Sequence, residues 1–134
     1  LKKGVKCGSC TVTPTIRFMG LYDPVDSAPG FGESEQVSDN VLNAMNIMRN
    51  KDAGSRWYFN TADHGAEDPT KTRYRESHVF GTHSAIGGDP WGGDHPDETN
   101  QTLDINASRI ADREMRQAAQ RAGVPIPGVT NYGF

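Results

Sequence analysis

The fold is decided by residues 15–22, Thr-Ile-Arg-Phe-Met-Gly-Leu-Tyr, and by the Asp23-Pro24 pair that follows them. On an extended chain the apolar side chains of this run fall on both faces: Ile16, Phe18 and Tyr22 on one, Met19 and Leu21 on the other. A short run that is apolar on both faces is typical of a buried strand in a parallel sheet covered by helices. Pro24 ends the strand because it cannot donate to a ladder. We therefore expect Asp23 at the carboxyl edge of a sheet, where α/β enzymes build their sites.

Two helices are predicted from apolar residues spaced three or four positions apart. The first is capped by Ser38 or Asp39 and runs to about Arg49. Its apolar side is made of Val37, Val41, Ala44, Met45 and Met48. The second helix runs from about Leu103 to Ala122, with Gly123 and Pro125 ending it. Its apolar stripe is made of Leu103, Ala107, Ile110, Ala111, Met115, Ala118 and Ala122.

Two more strands are predicted, an aromatic one at Arg56–Phe59 and a second at Ser77–Thr82. Buried strands that alternate with helices indicate an α/β fold. The strands are too few for a complete doubly wound sheet, so we expect the C-terminal part of a larger α/β sheet flanked by helices. Residues 1–14 are interpreted as a linker or the end of a preceding segment, 15–123 as the α/β part, and 124–134 as a C-terminal tail.

Composition excludes several classes of function. The 134 residues carry 14 basic and 17 acidic side chains, a net charge of −3, and 34% hydrophobic residues. Without a basic excess, no general attraction to nucleic acid is expected. The sequence has no run of 18 apolar residues, so no transmembrane helix is predicted, and no signal peptide is visible. The sequence leaves open whether the protein is cytoplasmic or secreted.

A histidine follows the last predicted strand, within Gly81-Thr82-His83-Ser84-Ala85-Ile86-Gly87-Gly88. Glycines let the backbone turn sharply and let a substrate approach, and a histidine there can move a proton near neutral pH. Asp23 precedes His83, which is the order of the last two members of the α/β-hydrolase triad. The carboxylate would accept the Nδ1–H of the imidazole and fix its tautomer.

The two segments also carry a family resemblance. Residues 16–25, Ile-Arg-Phe-Met-Gly-Leu-Tyr-Asp-Pro-Val, and 78–88, His-Val-Phe-Gly-Thr-His-Ser-Ala-Ile-Gly-Gly, resemble the acid and histidine segments of bacterial and fungal α/β-hydrolases related to type VI secretion phospholipase effectors. The similarity covers roughly residues 15–122. It implies an α/β-hydrolase-type sheet, Asp23 as triad acid, His83 as triad base, an ester or lipid substrate, and no cofactor.

The family's nucleophile is a serine on a Gly-x-Ser-x-Gly elbow, and no such pentapeptide occurs in these 134 residues. Ser9 lacks glycines at the two positions that the elbow requires, and Ser84 lies on the wrong element. Because the chain begins at Leu1 rather than Met, we expect an upstream segment of the same protein to supply the serine. The chain alone is then expected to be inactive as a hydrolase.

Two other interpretations stay open. One is a non-catalytic binding or interaction domain that keeps the hydrolase scaffold. The other is a metal-binding module built on the loop at 89–98, whose candidate ligands are Asp89, Asp94, His95, Asp97 and Glu98, with His83 nearby. The spacing of these residues matches no familiar metal motif.

Several further residues are weaker candidates. The aromatic rings of Trp91 and Tyr22 could line a substrate pocket. His64 could belong to a site, although the residues around it give little support. Cys7 and Cys10 form a single CxxC whose flanks are interpreted as loop, so a half zinc site, a redox pair and two plain thiols all remain possible.

Overall fold

A computed structural model describes residues 4–26, 36–54, 60–61, 65–93 and 95–126. In chain order its elements are β1 (Val5–Cys7), β2 (Cys10–Val12), β3 (Met19–Tyr22), β4 (Val25–Asp26), β5 (Asn43–Arg49), a 3₁₀ turn (Lys51–Ala53), β6 (Asn60–Thr61), β7 (Arg73–Val79), α1 (His83–Ile86) and α2 (Gln101–Arg121). The chain thus has the mixed α/β content that the sequence predicts. The strand predicted at Arg56–Phe59, His64, Asp94 and the tail beyond residue 126 lie outside the described residues.

A three-stranded parallel sheet with the order β3-β5-β7 is the centre of the structure. Met19 pairs with Ala44 at one side of β5, and Asn43 pairs with Arg73 at the other. Two smaller antiparallel pairs, β1–β2 and β4–β6, accompany it. Because the three central strands are parallel, their carboxyl ends all meet at one edge.

The helix predicted from Ser38 or Asp39 to Arg49 is wrong, since residues 43–49 form β5 instead. This strand lies between two others, and its five central residues are all buried. A strand buried on both faces loses the alternation of polar and apolar residues, so a short apolar run cannot be told from a helix by its spacing. Ile47, which is fully buried, does not belong to the helical stripe.

The other two central strands are shifted from their predicted bounds. β3 is shorter than the predicted 15–22, although Ile16 adds an isolated parallel bridge to Val41. β7 begins at Arg73 rather than Ser77, and Thr82 caps α1 instead of ending a strand. The first residues of β7 escaped prediction because this edge strand is polar and largely exposed until Val79.

The N-terminal residues form structure where loop was expected. β1 and β2 pair as a hairpin in which Cys7 lies opposite Cys10, with Gly8 and Ser9 at the turn. Both cysteines are exposed free thiols, and the Cys10 thiol donates a hydrogen bond to the Cys7 carbonyl at 3.0 Å. Of the flanks interpreted as loop, Thr11 and Val12 therefore belong to a strand, whereas Gly4, Thr13 and Pro14 lie outside the strands.

The prediction of α2 is confirmed to within two residues at its start. The Asn100 side chain caps the helix by accepting the Leu103 amide at 3.0 Å. At the other end Gly123 has φ +77°, the left-handed conformation that glycine adopts without steric cost. The buried face is narrower than the predicted stripe, because Leu103 is 38% exposed at the first turn.

Apolar residues cover both faces of the central sheet. On one face α2 and α1 pack against β5 and β7 in a cluster made of Met45, Ile47, Val79, Ala85, Ile86, Ala107, Ala111 and Met115. On the other face a smaller cluster contains Val37, Val41 and Ala44, with Met19 and Leu21 beside it. As predicted, Phe18 packs against the larger cluster, whereas Met19 and Leu21 pack against the smaller one. Ile16 was predicted on the face of Phe18 but packs against the smaller cluster, because it lies before the regular part of the strand.

The segment after β7 passes so close to α2 that residue 81 must be glycine. A Cβ atom on Gly81 would lie 2.4 Å from the Ala107 Cβ, well inside contact distance. We expect Gly81→Ala to lower the free energy of unfolding by about 1–3 kcal/mol, because α2 must move away from the sheet.

Gly87→Ala is the matched control for this substitution. Gly87 has φ −72°, and a Cβ atom there would meet nothing nearer than 3.5 Å. Its free energy of unfolding is expected to stay unchanged or to rise by up to about 1 kcal/mol. Urea denaturation followed by circular dichroism measures both, and equal stability of the two variants would contradict the close packing at Gly81.

Candidate active site

Polar residues gather at the edge where the three central strands end. Asp23 follows β3, Arg49 is the last residue of β5, and His83 lies four residues beyond β7. The backbone ladder continues to this edge, because the Asp23 amide donates to the Ile47 carbonyl at 2.7 Å and the Asn50 amide to the Val79 carbonyl at 2.8 Å. The parallel topology thus brings together residues that are far apart in sequence.

Asp23 and His83 are in direct contact across the end of β5. The His83 Nδ1 atom lies 2.8 Å from the Asp23 Oδ2 atom, although sixty positions separate the two residues. Asp23 is fully buried, whereas the His83 side chain is 25% exposed. The structure therefore brings the predicted acid and imidazole together as a carboxylate–imidazole dyad, with the ring between the interior and the surface.

The backbone at Asp23 has an unusual conformation. Its φ is +42°, whereas the following proline favours an extended conformation at this position. Aspartate is among the few residues that tolerate the left-handed region, at a cost of roughly 1–2 kcal/mol. The turn directs the chain out of the sheet while the carboxylate stays against β5. Such strain at a strand end often accompanies a functional site.

Arg49 binds the same carboxylate with both its backbone and its side chain. Its amide donates to Asp23 Oδ1 at 3.1 Å, and its guanidinium makes a short ion pair with Oδ2. The Arg49 side chain is only 10% exposed. A buried carboxylate is stable only when it is paired and hydrogen-bonded, and Arg49 together with His83 satisfies that need.

A second buried aspartate positions the histidine from the helix side. Asp104, in the first turn of α2, accepts the Thr82 amide at 3.1 Å and the Thr82 hydroxyl at 2.8 Å. The Thr82 hydroxyl oxygen in turn accepts the Ala85 amide at 3.2 Å and caps α1. Both Thr82 and Asp104 are fully buried. The residue before His83 is therefore fixed to α2 by two hydrogen bonds and to α1 by a third.

The two aromatic candidates are placed differently from the dyad. Tyr22 precedes Asp23 and is 40% exposed; partial burial, followed by the nearby Asp112 carboxylate, raises the pKa of its phenol. Trp91 packs against His95, with ring centroids 4.1 Å apart, and has φ +66°. Neither ring belongs to the hydrogen-bonded group around Asp23.

The metal interpretation finds no support among the residues that the structure describes. Within those ranges, no group of three histidine, cysteine, aspartate or glutamate side chains is arranged to hold a metal ion. Of the predicted ligands in the 89–98 loop, Asp94 lies outside the described ranges, and His95 packs against Trp91.

A groove of about 390 Å³ lies away from the dyad. Met45 and Ala118 are among its apolar lining residues, and Arg75, Glu114 and Arg121 are among its charged ones. These residues come from the first half of β5, the first half of β7 and the last turns of α2. The groove therefore opens toward the other end of the sheet from Asp23 and His83.

Comparison with known proteins adds no identification: neither a family model, nor a curated protein, nor a solved structure matches the chain. In the part of the chain that the structure describes, no helix combines the length and the apolar character that crossing a bilayer requires. Function is therefore inferred from the geometry of the dyad together with the two segments that carry the resemblance.

The sequence pointed to Asp23 and His83 but missed Arg49, Thr82 and Asp104. Arg49 falls at the end of the first predicted helix, and that wrong prediction hid its place at the end of β5. An acidic residue in the first turn of a helix is common, so Asp104 carries no signal of its own in the sequence. A buried charge opposite a Thr-His pair becomes recognisable only when the packing of α2 against residues 81–83 is known.

Asp104 should be far more important for stability than Asp112, the other aspartate of α2. Asp104→Ala leaves two buried Thr82 donors without their acceptor, and each such donor costs about 1–3 kcal/mol. We expect a loss of about 2–4 kcal/mol in the free energy of unfolding, measured by urea denaturation.

Asp112→Ala provides the control within the same helix. Asp112 is exposed and pairs with Arg116 one turn away, a contact worth less than about 0.5 kcal/mol. A similar loss of stability in both variants would contradict the anchoring role of Asp104.

Proposed function

We propose that this chain supplies the acid and the histidine of a serine hydrolase that acts on an ester, with lipid esters as the substrate class that the resemblance implies. The observation that carries the proposal is the 2.8 Å contact between His83 Nδ1 and the buried Asp23 carboxylate at the carboxyl edge of a parallel sheet. Motifs are recognised as catalytic by such geometry and roles rather than by sequence position.

The dyad determines which nitrogen of the ring acts as a base. With Nδ1–H donated to Asp23, the neutral imidazole carries its lone pair on Nε2. His83 Nε2 would take the proton of a serine hydroxyl as that oxygen attacks the ester carbonyl. The same nitrogen would then give the proton to the leaving alcohol, and a water molecule would complete the second half of the cycle in the same way. Asp23 stabilises the imidazolium that forms in each half.

The serine is assigned to sequence outside these 134 residues, since no Gly-x-Ser-x-Gly elbow occurs in them. Ser84 is adjacent to His83 within the single turn of α1, so it is not assigned as the nucleophile. An elbow serine also brings a neighbouring amide to the oxyanion hole. Both parts of the reaction centre are therefore expected from an upstream segment of the same protein.

An unpaired edge of the sheet supports the proposal that an upstream segment supplies the serine. Within the described residues β3 pairs with β5 on one side, and its other edge has no strand beside it. An unpaired edge is a template for another strand. We propose that the three parallel strands are the C-terminal part of an α/β-hydrolase-type sheet whose remaining strands add beside β3.

The proposal is tested in the complete protein. His83→Ala and Asp23→Asn should each lower kcat for ester hydrolysis by at least about 10³-fold, because one removes the base and the other its orienting charge. Hydrolysis of a chromogenic ester and of phospholipid vesicles measures the effect. Folding, followed by circular dichroism, should be retained.

His78→Ala and Asp112→Asn are matched controls, since both residues are exposed and neither belongs to the dyad. Both variants should keep near-normal turnover. A fluorophosphonate probe should label the complete protein at an upstream serine. Near-normal activity of either dyad variant, or the absence of labelling, would contradict the hydrolase and leave a non-catalytic binding domain on the same scaffold.

A further inference from the structure

Arg49 makes a second, independent set of contacts to the dyad carboxylate, and these contacts have a consequence for the histidine. A carboxylate that only orients an imidazole needs no permanent cation on the same oxygen. Here the Arg49 guanidinium and the His83 Nδ1 both contact Asp23 Oδ2. The imidazole therefore faces a carboxylate whose charge is already compensated.

We propose that Arg49 is a positioning residue that fixes the ionised Asp23 carboxylate and, through its positive charge, restrains the protonation of His83. This inference rests on the proposed function. It adds a third group to the dyad and assigns it control over the pH at which the base is ready to act.

The geometric part of the role follows from where Arg49 lies. It ends β5, the central strand, whose backbone is paired with β3 on one side and β7 on the other. Its amide holds Oδ1 at 3.1 Å while its guanidinium holds Oδ2, so both carboxylate oxygens are bound by one residue. The carboxylate can neither rotate nor withdraw without breaking one of these contacts.

The electrostatic part follows from the charges around His83. The imidazole contacts Asp23, which follows β3. Arg49, the last residue of β5, pairs its guanidinium with the same carboxylate oxygen. On α2 the buried Asp104 carboxylate accepts two hydrogen bonds from Thr82, the residue before His83. Protonation of His83 would place a second positive charge on the Asp23 oxygen that the Arg49 guanidinium already contacts, and the two positive charges repel each other.

The consequence concerns the attraction between Asp23 and the protonated imidazole, which the positive charge of Arg49 on the same oxygen weakens. Without the arginine charge, Asp23 would attract the imidazolium more strongly, so His83 would keep its proton up to a higher pH. The acid limb of the kcat/KM profile, which reports a base that must be unprotonated, would move in the same direction.

Two substitutions separate charge from packing. Arg49→Gln removes the charge and keeps a side-chain hydrogen-bond donor, while Arg49→Lys keeps the charge and loses the planar fork. The backbone amide of residue 49 remains in both. Arg109→Gln, at an exposed position on α2, is the matched control for loss of one positive charge from the chain.

The first measurement uses the 134-residue chain and needs no nucleophile. The ring-carbon chemical shifts of His83 are followed by NMR as a function of pH. We expect the midpoint to rise by about one pH unit in Arg49→Gln and to stay near its original value in Arg49→Lys and Arg109→Gln. Arg49→Met, which also lacks the charge, takes the place of the glutamine variant if that chain does not fold.

The second measurement uses the complete protein. Arg49→Gln should lower kcat/KM for an ester by about 10-fold or more at neutral pH and move the acid limb to higher pH, whereas Arg49→Lys should leave the limb in place. An unchanged NMR midpoint in the charge-removing variant would overturn the role of Arg49 even if the protein hydrolyses esters. A raised midpoint in a protein without esterase activity would support Arg49 and overturn the hydrolase.

Discussion

The structure depends on one buried charge, the carboxylate of Asp23. It has no solvent exposure, it lies where a parallel strand ends, and its φ of +42° places it in a region that few residues adopt. An ion in such a place is stable only with donors on both oxygens. Those donors come from Arg49 at the end of β5 and from His83 at the start of α1, which follows β7, so the carboxylate connects the ends of all three central strands.

The surrounding elements are arranged to keep these donors in place. β5 is fixed between two neighbours, which gives the Arg49 contacts a rigid base. The His83 side is fixed from α2, where Asp104 holds Thr82 and where only a glycine at residue 81 allows the helix to approach. The two buried aspartates therefore have different roles: Asp23 orients the His83 imidazole, and Asp104 fixes the backbone that carries it.

The sequence predicted the parts of this arrangement that local patterns encode. β3 and α2 were recognisable because one is apolar on both faces and the other carries an apolar stripe and a terminal glycine. Asp23 and His83 were recognisable as residues that follow strands in the order of a triad. β5 was mistaken for a helix because burial on both faces removes the period of two, and with β5 misplaced Arg49 could not be linked to Asp23. The contacts of Asp104 depend on packing between distant elements, which no local pattern records.

The direct test of the central claim is the tautomer of His83 in the chain labelled with ¹⁵N-histidine. Neutral histidine in water prefers the proton on Nε2, whereas donation to Asp23 requires it on Nδ1. NMR should show an Nδ1–H ring for His83, assigned by loss of its signals in His83→Gln, and the tautomer should revert in Asp23→Asn, whose amide can donate to Nδ1. An Nε2–H ring in the unsubstituted chain would contradict the dyad.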